Sequence, residues 1–181
     1  MACISKLASA IAYDCDSGAT GITRAVIINK ADIASFVVNP SDMIVSVLTL
    51  VAGAKAYKID AVKRSLVMSS ALKVNDGAPN AFTHTASITF TGGGTVSAVR
   101  RLLATALSNG SFVIVAERAG FTGGDVYGLY YGLSATASDM STHENGGWTT
   151  TTLETPENVI GEDTLTLAKD VWDSLYEAAV G

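Results

Sequence analysis

Charged side chains are scarce in this chain of 181 residues. Asp, Glu, Lys and Arg make up 16% of the sequence, whereas hydrophobic residues make up 48%. In an ordinary soluble domain about a quarter of the residues are charged. We therefore expect either that partner subunits cover much of the surface or that Thr and Ser replace charge on it.

Cysteine and histidine are also rare, with two of each. Cys3 and Cys15 are too few for a disulfide framework, and free thiols in a reducing compartment are the simpler interpretation. His84 and His143 do not stand at zinc-ligand spacing relative to these cysteines. The sequence predicts no metal site and no cofactor.

Long apolar runs are missing as well. The most apolar stretch, Met43 to Ala54, is too short to span a bilayer, and it is followed by Lys55. Its nearly continuous apolar part fits a strand that is buried on both faces. Near the N-terminus, the apolar stretch after Lys6 is at the lower length limit of a secretory signal and gives way to Asp14. We expect a protein without a membrane anchor that is made in the cytoplasm.

The net charge of −5 is unevenly distributed along the chain. Residues 1–90 carry eight Lys and Arg against six Asp and Glu, whereas residues 91–181 carry four against eleven. The two halves could attract each other between copies, or the acidic half could serve only to keep the protein soluble. No basic patch with interleaved aromatic residues is present, which argues against a dedicated nucleic-acid-binding protein.

The most regular pattern lies between Ser65 and Phe90. Two segments of alternating character flank the turn residues 75–80, which include Asn, Asp, Gly and Pro, and this order is typical of a long β-hairpin. In the second segment the packed face carries Phe82, His84, Ala86, Ile88 and Phe90, and the other face carries Thr83, Thr85, Ser87 and Thr89. The hydroxyl-bearing face is almost uncharged, which is unusual for a face left in water.

A helix is predicted at about residues 96–109, where apolar residues recur at steps of three and four. Further strands are predicted near residues 22–30, 36–38, 111–116, 126–133, 148–153 and 163–167, and a short amphipathic helix near residues 171–179. The polar residues 134–147 are interpreted as a loop. The sequence thus predicts an α+β, mostly β fold, with an antiparallel sandwich-like or barrel-like body, long hairpins and one central packed helix.

One domain of residues 1–181 is expected. We further expect an N-terminal arm (1–21) and an acidic C-terminal extension (about 154–181), both used in contacts between subunits. Three aromatic side chains are candidates for such contacts, namely Trp148, Trp172 and Tyr176.

Catalytic patterns are weak. The Gly92-Gly93-Gly94 stretch lies between a strand and a helix but lacks the Lys-Ser/Thr pair of a phosphate-binding loop. There is no nucleophile elbow for serine hydrolysis. His84 shares a face with apolar residues, so we interpret it as a hydrogen-bonded packing residue, and we interpret the acidic residues near Glu162 as a solvated edge. We expect no enzyme activity.

The order of these elements resembles that of the tail tube proteins of long-tailed bacteriophages. The resemblance lies in the long hairpin of residues 65–90, the helix of 96–108, the second hairpin of 112–133 and an extended C-terminal region. It spans most of the chain and includes no short signature motif.

The resemblance implies a structural protein of the virion tail, assembled in the host cytoplasm into stacked hexameric rings. Hairpins of neighbouring copies would join into a continuous inner barrel, through which DNA passes without specific binding. Other virion proteins would be its partners. The candidate residues of the hairpin and lumen are Thr83, Thr85, Ser87, Thr89, Lys73 and Asp76.

One feature departs from that family, whose lumens are typically acidic. The hairpin offers Asp76, whereas Lys73 lies within it and Lys63 and Arg64 precede it. Either the second half of the chain supplies the negative lining, or this hairpin does not face DNA. Two alternatives stay open: another virion component, such as a head decoration or tail completion protein, and a glycan-binding surface module.

Overall fold

The computed structural model describes residues 21–59, 65–90, 97–140 and 148–181, with the backbone alone for residues 97–100. The predictions for the N-terminal arm, Cys3, Cys15, the Gly92–Gly94 stretch and His143 lie outside the described residues.

The described residues form eleven β-strands of one sheet, two α-helices and one 3-10 helix. The strands are β1 (Ile22–Asn29), β2 (Ile33–Asn39), β3 (Ile44–Leu50), β4 (Tyr57–Lys58), β5 (Leu66–Lys73), β6 (Ala81–Phe90), β7 (Ser111–Arg118), β8 (Gly124–Tyr127), β9 (Leu133–Met140), β10 (Thr149–Glu154) and β11 (Leu165–Leu167). The helices are α1 (Ser97–Asn109) and α2 (Lys169–Ala178), and the 3-10 helix is Lys30–Asp32. The predicted α+β, mostly β class is confirmed.

The strand pair β1–β7 lies at the centre of the molecule. The two strands pair antiparallel from Ile22 and Arg118 to Asn29 and Phe112. Because successive side chains point to opposite faces, the pair presents two apolar faces, and both are buried. One face packs into an α2 cluster that includes Val26, Ile28, Val113, Val115, Leu167 and Trp172. The other packs into a hairpin cluster that includes Ala25, Ile88, Leu107, Ile114, Leu133 and Leu153.

The sheet branches at β7. One edge of β7 pairs with β1, and the other pairs with β8 through residues 114–116 and with β9 through residues 111–112. From there one branch runs β8-β11-β3-β2 and the other β9-β10-β6-β5, so the sheet stays open. The pair β11–β3 is parallel, a departure from the antiparallel arrangement that the sequence predicts.

The predicted hairpin is confirmed, since β5 and β6 pair in register from Leu66–Ile88 to Lys73–Ala81. The predicted central helix is confirmed as α1. The loop predicted from residue 134 onward is wrong up to Met140, because this polar segment is strand β9 and pairs with β10. Strand β3 is not buried on both faces, since Val47 is 42% exposed within the described structure.

The C-terminal region is not an extension. Strand β11 lies inside the sheet, between β3 and β8, and α2 packs on the α2 cluster. Trp172 is fully buried there, and Arg24 binds Asp173 at 2.7 Å (Nη2 to Oδ1) and also Glu117. The prediction that Trp172 contacts a neighbouring subunit is therefore wrong, because its indole is enclosed by the protein's own core.

Replacement of Trp172 by Ala tests this assignment. We expect Trp172→Ala to lower the free energy of unfolding by about 3–5 kcal/mol, as large aromatic truncations in cores do. Leu102→Ala is the control, because Leu102 is 72% exposed and its loss should cost about 0.5 kcal/mol or less. Equal effects in urea unfolding would show that α2 does not depend on the buried indole.

Candidate assembly surface

The branch β5-β6-β10-β9 is a four-stranded antiparallel sheet. Directly opposed residues of such a sheet share a face, so the pairings assign every side chain to one of two faces. One face packs on the hairpin cluster and contains His84, Ala86 and Ile88. The opposite face, which we call the hydroxyl face, carries the polar residues Ser69, Lys73, Thr83, Thr85, Ser87, Thr89, Ser134, Asp139, Thr150, Thr152 and Glu154. The apolar residues Val67, Ala71, Ala81 and Ala137 lie on the same face.

The hydroxyl face points away from the core. All four predicted candidates Thr83, Thr85, Ser87 and Thr89 lie on it, and their side chains are half-buried by their neighbours in the sheet. The hydroxyls of Thr89 and Thr150 are 3.1 Å apart across β6 and β10. Strand β10 therefore extends the surface predicted from the hairpin alone.

Lys73 is on the hydroxyl face, but its ammonium group is bound by the protein. The Nζ atom donates to the carbonyl oxygens of Glu157 (3.1 Å) and Val159. The side chain of Asn75, just beyond β5, donates to the carbonyl of Ile160 at 2.7 Å. Together these bonds fasten the end of the hairpin to residues 157–160. The remaining candidate, Asp76, is exposed in the turn.

Two carboxylates lie on the hydroxyl face. Glu154 is opposite Thr85, and Asp139 is opposite Thr150. Both belong to the second half of the chain. Negative charge on this face is therefore supplied by β9 and β10, whereas the one ammonium group of β5 is engaged by carbonyls.

His84 holds the hairpin to the body from the core side. Its ring nitrogen Nδ1 lies 2.8 Å from the Ser70 hydroxyl, and Nε2 lies 3.4 Å from the carbonyl of Asp163. Its backbone N–H donates to the Thr155 hydroxyl, and its ring meets that of Tyr127 edge-on at 5.3 Å. Burial lowers the pKa of His84, so the imidazole is neutral at pH 7. The predicted role of a hydrogen-bonded packing residue is confirmed.

Glu162 attaches the hairpin to the body at a second point. Its backbone exchanges two hydrogen bonds of 2.8 Å with Phe82 of β6, and its carboxylate accepts the N–H of Tyr131 at 2.7 Å. The side chain is 1% exposed, and burial raises its pKa. Glu162 is thus enclosed, contrary to the prediction of a solvated acidic edge, because it stabilises the turn between β8 and β9.

The outer edges of this four-stranded sheet are β5 and the free part of β9. Thr89 donates its N–H to the carbonyl of Ser65, so the backbone groups of Ser65 point towards β6. Alternate residues of a strand point their backbone groups to opposite sides. The backbone groups that point outward from β5 are therefore those of Leu66, Met68, Ser70 and Leu72. By the same alternation, Ser138 and Met140 point their backbone groups outward from β9. Within the described residues no strand pairs with these edges. The sequence does not reveal the second edge, because the polar residues of β9 have the composition of a loop.

Exposed apolar side chains accompany both edges. Val67, Leu72 and Val74 are 55%, 60% and 71% exposed at the hairpin, and Met140 is 51% exposed at the end of β9. The predicted contact residue Trp148 is half-buried beside β10. The third predicted contact residue, Tyr176, packs against Trp172, and the ammonium group of Lys58 lies 4.8 Å from the centre of the Tyr176 ring.

Comparison of the chain with protein-family models, with characterised proteins and with solved structures finds no match. In the described ranges no helix is long and apolar enough to cross a membrane. The same ranges contain no group of three or more His, Cys, Asp or Glu residues placed to hold a metal ion.

The burial of His84 predicts a pH dependence of stability. Its pKa is lowered in the folded state, so the unfolded state, with a pKa of about 6.5, binds the proton more readily. This contribution to stability is complete above about pH 6.5 and is lost as the pH falls below it, by at most about 1.4 kcal/mol per pH unit. Urea unfolding between pH 7.5 and 5.5 should show this loss in the wild type and a smaller one in His84→Asn. His143→Asn should retain the wild-type dependence; an unchanged dependence in His84→Asn would contradict the assignment.

The hydrogen bonds of Lys73 predict that its replacement destabilises the end of the hairpin and the contacting residues 157–160. Lys73→Met keeps the apolar stem but removes the donor to two carbonyls, and should cost about 1–2 kcal/mol of stability. Amide hydrogen exchange should accelerate in residues 74–80 and 155–162. Lys55→Met, at an exposed lysine outside this contact, should leave exchange there unchanged. Equal exchange in both variants would show that the lysine does not fasten the hairpin.

Proposed function

We propose that the chain is a structural tail protein of a bacteriophage, which assembles into stacked rings and forms a tube through which DNA passes. The observation that carries the proposal is the open four-stranded sheet β5-β6-β10-β9. It has two unpaired edges within the described residues, and one of its faces is rich in hydroxyls and directed away from the core.

The even number of strands makes the two edges complementary. In an antiparallel sheet of four strands, the outer strands β5 and β9 run in opposite directions. On both edges the outward backbone groups belong to residues whose side chains face the hairpin cluster. Identical copies related by rotation can therefore join β5 to β9 in antiparallel fashion, with the same face inward in every copy.

The dimensions of such a ring suit a DNA channel. About six copies would give a barrel of about 24 strands, with a backbone diameter of about 48 Å at a strand spacing of about 4.8 Å and a tilt of about 40°. Inner side chains about 5 Å deep would leave a lumen of about 38 Å. Closure would also remove the free edges, which otherwise promote aggregation.

The charges of the hydroxyl face are compatible with a DNA lumen. Glu154 and Asp139 would line it, and Lys73 is held by carbonyl oxygens rather than extended from the face. A neutral to acidic wall repels the phosphate backbone, because binding of duplex DNA depends on Lys and Arg contacts. Passage without binding requires this kind of wall.

Electron microscopy of the purified protein tests the proposal. We expect rings with a central pore, and stacks of rings at high concentration. Leu72→Lys places a charge at the β5 edge and should raise the concentration needed for assembly by about tenfold or more, since edge charges block strand pairing.

Leu102→Lys is the matched control, because it adds the same charge at an apolar side chain of α1 that is 72% exposed and lies outside the β5 edge. It should assemble at the wild-type concentration. Monodisperse monomers of the wild type at high concentration would overturn the proposed function.

A further inference from the structure

A polar pocket of about 440 Å³ opens beside the free edge of β5. Strands β5, β6, β8 and β11 contribute to its wall, together with the end of β7. Its walls include Met68, Ser70, His84, Tyr127, Thr164 and Leu165. At the rim, the guanidinium of Arg118 binds Asp125 at 2.8 Å. The pocket thus lies on the core side of β5, next to the free edge at which an additional strand could pair.

We propose that this pocket receives the end of β9 from a second copy of the chain, with the partner copy's Met140 as the inserted side chain. The inference rests on the proposed ring. It identifies which side chains meet at the junction and explains why Met140, the last residue of β9, is half exposed in the isolated chain.

The alternation of the strands determines the side of the contact. Met140 and Ser138 are opposite Thr149 and Thr151, two buried residues, so their side chains lie on the core side of the sheet. When β9 pairs with the β5 edge of a neighbouring copy, opposed residues share a face. Met140 then stands on the side of Met68 and Ser70, which is the side of the pocket, and away from the hydroxyl face.

The chemistry of the pocket suits a methionine. Met68 and Leu165 provide apolar surface, and the rings of Tyr127 and His84 provide aromatic surface. A thioether makes favourable contacts with aromatic rings, and its flexible chain adapts to an irregular cavity. The Ser70 hydroxyl is bonded to the His84 ring, so the Thr164 hydroxyl is the wall group left for polar atoms of the incoming strand.

Cysteine cross-linking between copies tests the junction. We expect mild oxidation of assembled Ser70→Cys/Met140→Cys protein to give covalent dimers and higher ladders, since opposed strand residues lie within disulfide reach. Ala71→Cys/Met140→Cys is the matched control, because residue 71 is opposite Thr83, points to the hydroxyl face and does not line the pocket, so it should give at least tenfold less product. The single variants measure the background from Cys3 and Cys15.

A second measurement avoids the cysteines. Met140→Ser should raise the concentration needed for ring formation by about tenfold to a hundredfold, the effect of losing one buried methionine, and Met140→Leu should restore it. Rings that form normally with Met140→Ser and do not cross-link through residues 70 and 140 would overturn the inference and leave the tube proposal intact. Wild-type protein that forms no rings would overturn both.

Discussion

Burial of the β1–β7 pair on both faces is the constraint on which the rest of the fold depends. Val26 and Val115 face one cluster, and Ala25 and Ile114 face the other. A strand pair with two apolar faces needs a separate layer on each. Helix α2 with strands β11 and β3 forms one layer, and the hairpin branch with α1 forms the other. The hydroxyl face is the outer side of the second layer.

The strand β7 serves both layers because its second edge is divided between β8 and β9. The chain between these strands turns sharply at Gly128 and Gly132, with φ of 81° and 76°, where a glycine backbone is favoured. A Cβ atom at Gly132 would lie 1.9 Å from the Ser111 hydroxyl oxygen. The buried carboxylate of Glu162 accepts the N–H of Tyr131 in the same turn, while its backbone pairs with Phe82. One residue therefore couples the branch point to the position of the hairpin.

The sequence predicts the elements whose pattern is local and misses the features that distant strands determine. The hairpin of residues 65–90 and both helices have clear periods, and the structure contains them. The apolar stripe of α2 predicts a buried face but does not reveal whether the protein's own core or another subunit covers Trp172. Residues 134–140 have no apolar period and therefore look like a loop in the sequence. They form an exposed strand all the same, because backbone pairing with β10 is sufficient to hold them. The apolar composition of β3 likewise does not reveal that Val47 lies on an uncovered face.

The shortage of charge and the exposed edge are connected. Soluble proteins commonly protect an edge strand with lysine, proline or a bulge. Strand β5 has one lysine, and Lys73 is occupied by the carbonyls of residues 157 and 159. Its pairing with β6 is regular throughout, and Val67 and Leu72 are exposed beside it. An edge that is long, regular and without free charge favours pairing with another strand. The proposed closed ring would give each such edge a defined partner, whereas an isolated chain would leave it open to uncontrolled association.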